Sequence, residues 1–181
     1  MFDINKLKFR KAIINDAETV CTLVNSVYRG ENSKKGWTTE AYMLGGIRID
    51  NQSVMKITGN DSSVIILAEF ENVLIGCVNL EARGKICHLG MLSVDVNYQD
   101  KGIGKKIMEY SEGYAKFEME CDIMEMKVIG QRKELIDFYI RRGYKITGES
   151  EQFILNAHFG EPKTSDLYFE YLTKDLNVIP A

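Results

Sequence analysis

The chain has 181 residues, 45% hydrophobic and 27% charged, which is enough apolar material for one domain over residues 1–181 with a sizeable core. A formal net charge of −3 argues against nonspecific nucleic-acid binding, which relies on a basic surface, and no apolar run approaches a membrane span. Cysteines 21, 77, 87 and 121 form no Cys-x-x-Cys pair and His88 and His158 complete no zinc spacing, so reduced, buried thiols and no metal are expected.

The opening residues MFDINKLKFRK contain no apolar signal core, which predicts a cytoplasmic protein without a membrane partner. Residues 8–14 mix charge with Phe9, Ala12, Ile13 and Ile14 and predict a first strand. Asn15 or Asp16 then caps a helix with Val20, Leu23, Val24 and Val27 on one face and Gly30 as its stop. Residues 31–46 are polar and glycine-bearing around Trp37, Thr38, Thr39 and Glu40, with a short helix expected over residues 40–44. Asp50 caps a helix over residues 51–58, which Gly59 ends. Three strands follow, at 63–70, 73–81 and 85–94, joined by Glu71-Asn72 and Arg83-Gly84 into an antiparallel meander.

The next stretch, MLSVDVNYQDKGIGKKIM over residues 91–108, organises the chain. Its apolar run ends at Asn97-Tyr98, and Ile103, Ile107, Tyr110, Tyr114 and Phe117 then recur at the spacing of one helical face. A strand, a glycine-bearing turn and a helix start bring free amides to one point, where the helix dipole favours an anion. Lys101, Lys105 and Lys106 oppose that dipole unless something negative sits there, so a bound phosphate is expected. A Walker loop is excluded because Gln99 stands where its first glycine belongs and Lys106 where Ser or Thr should follow. A dinucleotide fingerprint fails as well, with Ile107 in place of the third glycine.

Residues 123–129 predict a strand that a long helix separates from the previous one, so the two should run parallel with a right-handed crossover. Residues 134–142 form a last helix with Leu135, Ile136, Tyr139 and Ile140 on one face and Gly143 as its stop. Residues 144–149 and 167–173 close the sheet, with a loop holding His158 and Phe159 between them. The expected class is α/β, with a mixed, mostly antiparallel sheet of about seven strands flanked by about four helices.

Gln99-x-x-Gly102-x-Gly104 after a strand, followed downstream by Tyr139-Ile-Arg-Arg-Gly143-Tyr144, resembles the two signatures of the GCN5-related N-acetyltransferase superfamily. The resemblance covers nearly the whole chain and implies that fold, with acetyl-coenzyme A as acetyl donor and no metal. By the same resemblance Leu92, Ser93 and Val94 contact the pantetheine arm, and Gln99, Asp100, Lys101, Gly102, Ile103, Gly104 and Lys105 hold the pyrophosphate. Tyr139 matches the family's general acid, and a phenol titrating near ~10 keeps a proton to give a thiolate.

The base is left among several candidates. His88 stands at the offset before Gln99 where one branch of the family carries a basic glutamate; Glu81, Glu69 or a water relay are the alternatives. Trp37 and Glu40 fall in the segment that in this family often lines the acceptor site, where Glu40 would meet an ammonium group. The implied activity is transfer of an acetyl group to an amine of a small molecule or peptide, directly in a ternary complex. A non-catalytic domain binding coenzyme A or its acyl form, and transfer of a longer acyl group, remain alternatives. A sheet edge also leaves a homodimer open.

Overall fold

Val-, Ile- and Leu-bearing central segments and more polar outer ones form β1 (Lys8–Lys11), β2 (Ser63–Phe70), β3 (Val73–Arg83), β4 (Ile86–Val94), β5 (Ile123–Ile129), β6 (Lys145–Gln152) and β7 (Tyr168–Asp175) in a computed structural model that describes residues 2–153 and 160–178. They make one seven-stranded sheet in the order β1-β2-β3-β4-β5-β7-β6. Every neighbouring pair is antiparallel except β4 with β5, which the intervening helix forces to run parallel. The expected loop residues His158 and Phe159 lie outside the described residues.

The helices are α1 (Ala17–Tyr28), a single turn α2 (Gly30–Ser33), α3 (Asn51–Thr58), α4 (Ile103–Phe117) and α5 (Lys133–Ile140). Helices α1 and α3 cover one face of the sheet, where Val20, Val24, Val27 and Val54 meet Ile65, Leu67 and Cys77. Helices α4 and α5 cover the other, where Ile103, Ile107, Met108, Ile136 and Tyr139 meet Ile66, Val78, Leu80 and Leu89. Alternation along β2, with Ile65 and Leu67 on one side and Ile66 and Ala68 on the other, supplies both cores from one strand. No helix among the described residues is long and apolar enough to cross a membrane.

Local signals account for some element ends and not for others. The Asp50 carboxylate accepts from Ser53 N–H at 2.7 Å and starts α3, and Gly59 caps its other end. Asp16 does not cap α1 through its side chain; its carboxylate accepts instead from Ile13 N–H at 2.8 Å and pairs with Arg10, winding a 3-10 turn that ends β1 at Lys11. Gly30 does not stop α1 either. The chain turns extended at Arg29 (φ −128°, ψ 159°), and Gly30, at φ 72°, opens α2. The short helix expected at 40–44 is a turn in which Met43 and Leu44 N–H both reach Glu40 C=O.

The buried face of α4 is rotated from the expected aromatic stripe. Ile103, Ile107, Met108, Ser111 and Ala115 face the sheet, while Tyr110 stacks on Phe9 of the edge strand at 4.4 Å and Phe117 is 81% exposed. The reason is close approach: a Cβ at Gly76 would stand 2.6 Å from Ile107 Cδ1, so the helix lies against the sheet at a distance that suits small residues and leaves rings on the flank.

Candidate active site

At the end of β4 the Asp95 carboxylate accepts from Asn97 N–H at 2.8 Å and winds Val96–Tyr98 into a 3-10 turn. Asp100 (φ 61°) and Gly102 (φ 78°) then both take the left-handed conformation that Gly adopts freely and Asp tolerates. The chain thereby doubles back and starts α4 at Ile103. The first bond of this helix runs from Lys106 N–H to Gly102 C=O at 3.1 Å, and no side chain caps the start. The amides of Ile103, Gly104 and Lys105 therefore carry the free, partly positive end of the helix. A Cβ at Gly104 would fill the space as far as Phe138 and Val94, in van der Waals contact at 3.6 and 3.9 Å, and glycine leaves that space unfilled.

That space is a cleft of about 540 Å³ between the turn and α5. Of the residues expected to hold the cofactor, Leu92 and Val94 from the arm set and Gln99, Asp100, Gly102, Ile103, Gly104 and Lys105 from the pyrophosphate set line it. Ser93 and Lys101 do not. Ser93 is fully buried and its hydroxyl donates to Met91 C=O at 2.9 Å, and the Lys101 ammonium is bound to Asn97 C=O at 2.7 Å over the Tyr98 ring. The Gln99 side chain is a cross-link, donating to Val94 C=O and Thr38 Oγ1 at 3.1 Å while accepting from Trp37 N–H. Lys106 pairs with Glu109 at 3.2 Å. The cations beside Lys105 are instead Arg132, Arg141 and Arg142, at the two ends of α5.

Strands β4 and β5 pair over only three positions, Ile86↔Ile123, Cys87↔Met124 and His88↔Glu125. Both continue, to Val94 and Ile129, so they part company and leave a gap in the sheet. The β3–β4 ladder slips by one residue between Cys77 and Asn79, and opposite the slip Met91 is left-handed (φ 56°), a strain of order 1–3 kcal/mol. Beside this bulge the Leu92 carbonyl accepts from the Tyr28 hydroxyl at 2.8 Å.

A second cleft, of about 640 Å³, opens at the gap, where residues 89–92 of β4 and 126–129 of β5 line it. Tyr28, Leu92, Arg132, Leu135 and Tyr139 line both clefts, which meet there. Burial raises the Tyr139 phenol above its ordinary value, and no hydrogen-bond partner for its hydroxyl is present among the described residues. Burial likewise pushes Tyr28 up to about 12.

Glu40 lines the second cleft but is not available to an ammonium group. Its two oxygens accept from Arg29 and from Arg132, the latter at 3.0 Å, and all three side chains are at most 9% exposed. Arg132 also donates to Thr38 C=O. Trp37 faces the first cleft, tilted against Phe138 at 5.5 Å.

His88 and Glu81 are opposite each other across β3 and β4, and neither lines either of these two clefts. His88 Nδ1 lies 2.9 Å from Glu125 Oε1, and Glu81 holds Arg83 at 3.2 Å. Glu69 is bound to Arg10 near the sheet edge. The geometry thus brings Tyr139 to the meeting point and leaves all three proposed base side chains elsewhere. Tyr28, Arg29 and Arg48 are site residues that periodicity concealed, since in the sequence they close a helix or sit in a polar loop.

The family model described as the Acetyltransferase (GNAT) family matches residues 24–144, two-thirds of the chain, including the turn, the gap and Tyr139. The chain belongs to the GNAT acetyltransferase family. Its GNAT fold is shared with an N-acetyltransferase from Staphylococcus aureus Mu50, at 16% identity and a TM-score of 0.72, covering 95% of this chain and 99% of that one. It is shared too with yncA from Salmonella typhimurium, solved with its cofactor acetyl-CoA, at 14% identity and a TM-score of 0.70 over 97% and 96% of the two chains. The spermidine/spermine N-acetyltransferase SpeG from Vibrio cholerae matches at 13% identity with a TM-score of 0.67, over 96% and 94%. No curated protein sequence matches. Within this GNAT chain the four cysteines are free thiols and none lines either cleft; burial pushes Cys77 and Cys87 up to about 12.

Proposed function

We propose that this protein transfers the acetyl group of acetyl-CoA to a primary amine of a small molecule or peptide, directly and in a ternary complex. The observation that carries the reading is the meeting of two clefts at Tyr139, one of them floored by an uncapped helix start. The residues present suit such a donor: free amides and Lys105 for a diphosphate, a cleft leading from them to Leu92, and a gap between parallel strands for a narrow arm. Acetyl-CoA, when bound, supplies the thioester.

The chain's own residues do the rest. Ile103, Gly104 and Lys105 amides hold the anionic end, and the β4 backbone around Leu92, irregular at Met91, supplies donors for a developing oxyanion. The nitrogen–carbon bond forms as the carbon–sulfur bond breaks. Tyr139 gives its proton to the departing sulfur and is reloaded with the proton that the amine releases. Raised by burial, the phenol stays protonated throughout the neutral range. Thiols that line neither cleft and whose pKa values burial raises support direct transfer rather than relay through cysteine.

Calorimetry with acetyl-CoA and with CoA, followed by mass spectrometry of products from a metabolite extract, tests this. Binding of both and a product heavier by one acetyl group are expected. Binding without thioester consumption across a broad amine panel would instead make the protein a CoA-responsive binding domain.

A further inference from the structure

On the foundation of that reading, we infer that the acceptor is an amine carrying a carboxylate a few atoms from its nitrogen, recognised by Arg48 and Arg132 in the second cleft. The cleft's charges do not balance. Glu151 is held by Lys127 at 2.5 Å, and Arg83 by Glu81 at 3.2 Å. Arg132 shares its carboxylate, Glu40, with a second guanidinium. Arg48 has no carboxylate partner among the described residues; its guanidinium lies over the Tyr28 ring at 5.6 Å, with Arg132 at 5.9 Å.

The position of this excess gives it meaning. The ring that both guanidiniums approach ends in the hydroxyl bound to Leu92 C=O at 2.8 Å, where the clefts meet. Positive charge therefore stands against the same ring whose hydroxyl reaches the place where the clefts meet. A polyamine would bring further cations into a cleft already cationic, and the one carboxylate at its inner end, Glu40, is taken. A carboxylate beside the amine would give Arg48 its counter-charge and accept the planar donors that guanidinium offers.

The same field helps the reaction. Attack requires the neutral amine, and neighbouring cations disfavour the ammonium form. That offsets the lack of a free carboxylate or imidazole at the meeting point among the described residues: Glu40 and Glu151 are the carboxylates of this cleft, and both are paired.

The test uses the full-length protein with acetyl-CoA and a panel of α-, β- and γ-amino acids, each as free acid and as carboxamide, together with spermidine. CoA release and product mass are followed. At least one free acid is expected to exceed its carboxamide by about tenfold or more in kcat/KM, the scale of a charge-assisted hydrogen bond. In Arg48→Gln that ratio should fall by a similar factor with acetyl-CoA affinity unchanged, while Arg48→Lys retains part of it. The inference is overturned if spermidine or the carboxamides are preferred by the wild-type protein, or if no free acid reacts although acetyl-CoA binds. An unchanged ratio in folded Arg48→Gln overturns it as well. Failure of acetyl-CoA to bind at all is a separate result, since it removes the acetyl-transfer reading itself.

Discussion

The cleft beside α4 is floored by backbone, the amides of Ile103, Gly104 and Lys105 after a turn with two left-handed residues, whereas the cleft beside α1 is walled by charged side chains from Arg29, Glu40, Arg48 and Arg132. The first gets part of its charge from the alignment of peptide dipoles, which no single side chain can remove, and adds Lys105, Arg141 and Arg142 to it. The second gets it from guanidiniums held in a largely buried network, where each charge depends on its partner. The contrast suits their proposed tasks: a constant diphosphate can be held by backbone, while a particular acceptor needs side chains.

The sharpest way to break the side-chain cleft is Glu40→Gln. It leaves Arg29 and Arg132 facing each other without their shared carboxylate, and loss of one partner of a buried pair costs about 3–5 kcal/mol. Urea titration should register that loss, and adding Arg132→Gln should recover part of it by removing one stranded charge. A loss under about 1 kcal/mol would mean that water screens the network, and the contrast between the clefts would weaken accordingly.

Tyr139→Phe acts where the clefts join. Removing a general acid should lower kcat by about 100-fold or more, with acetyl-CoA affinity within about twofold of wild type, because the hydroxyl is not among the groups assigned to the diphosphate. The pH dependence follows from burial. Tyr139 binds its proton more tightly folded than unfolded, so its contribution to stability is complete below the unfolded value near ~10 and is lost as pH rises through the higher folded one. Tyr28, pushed up to about 12, behaves alike. Stability should therefore decline above pH ~10 as tyrosinate absorbance grows, and an alkaline fall in kcat below that pH would belong to another group.

Gly102→Ala probes the backbone cleft and should cost less. A residue with a Cβ at φ 78° is strained by about 1–2 kcal/mol, and that Cβ would sit 3.3 Å from Ile4 Cδ1. The unfolding free energy from denaturant titration should drop by that amount. A change below ~0.5 kcal/mol would show that the turn relaxes out of the left-handed region, and acetyl-CoA affinity should then fall with it.

This division also governs how much of the molecule was legible in the sequence. The turn was, because left-handed positions and a helix start are specified by adjacent residues such as Asp100, Gly102 and Gly104. So were β2, α3 and β5, whose ends coincide with cap and turn residues. The arginine network was not, since Glu40 and Arg132 are 92 positions apart and nothing local to either announces the other. Periodicity misplaced the buried face of α4 for a related reason: the ring-free side is chosen by Gly76 across the sheet. His88 was attractive by offset alone, yet offset along β4 does not say which end of a parting strand pair a side chain occupies.

The smallest expected effect tests that last point. His88→Gln removes an imidazole whose Nδ1 meets Glu125 and whose side chain is 26% exposed, so stability should change by no more than about 1 kcal/mol. Because His88 lines neither cleft, kcat should stay within about twofold and the acidic limb of the pH–rate profile should keep its wild-type position. If that limb disappears and kcat falls tenfold, a proton path must run along the sheet from the gap to the His88–Glu125 pair. The acceptor's deprotonation would then rest on a base after all, and the cationic wall beside Tyr28 would be left with recognition alone.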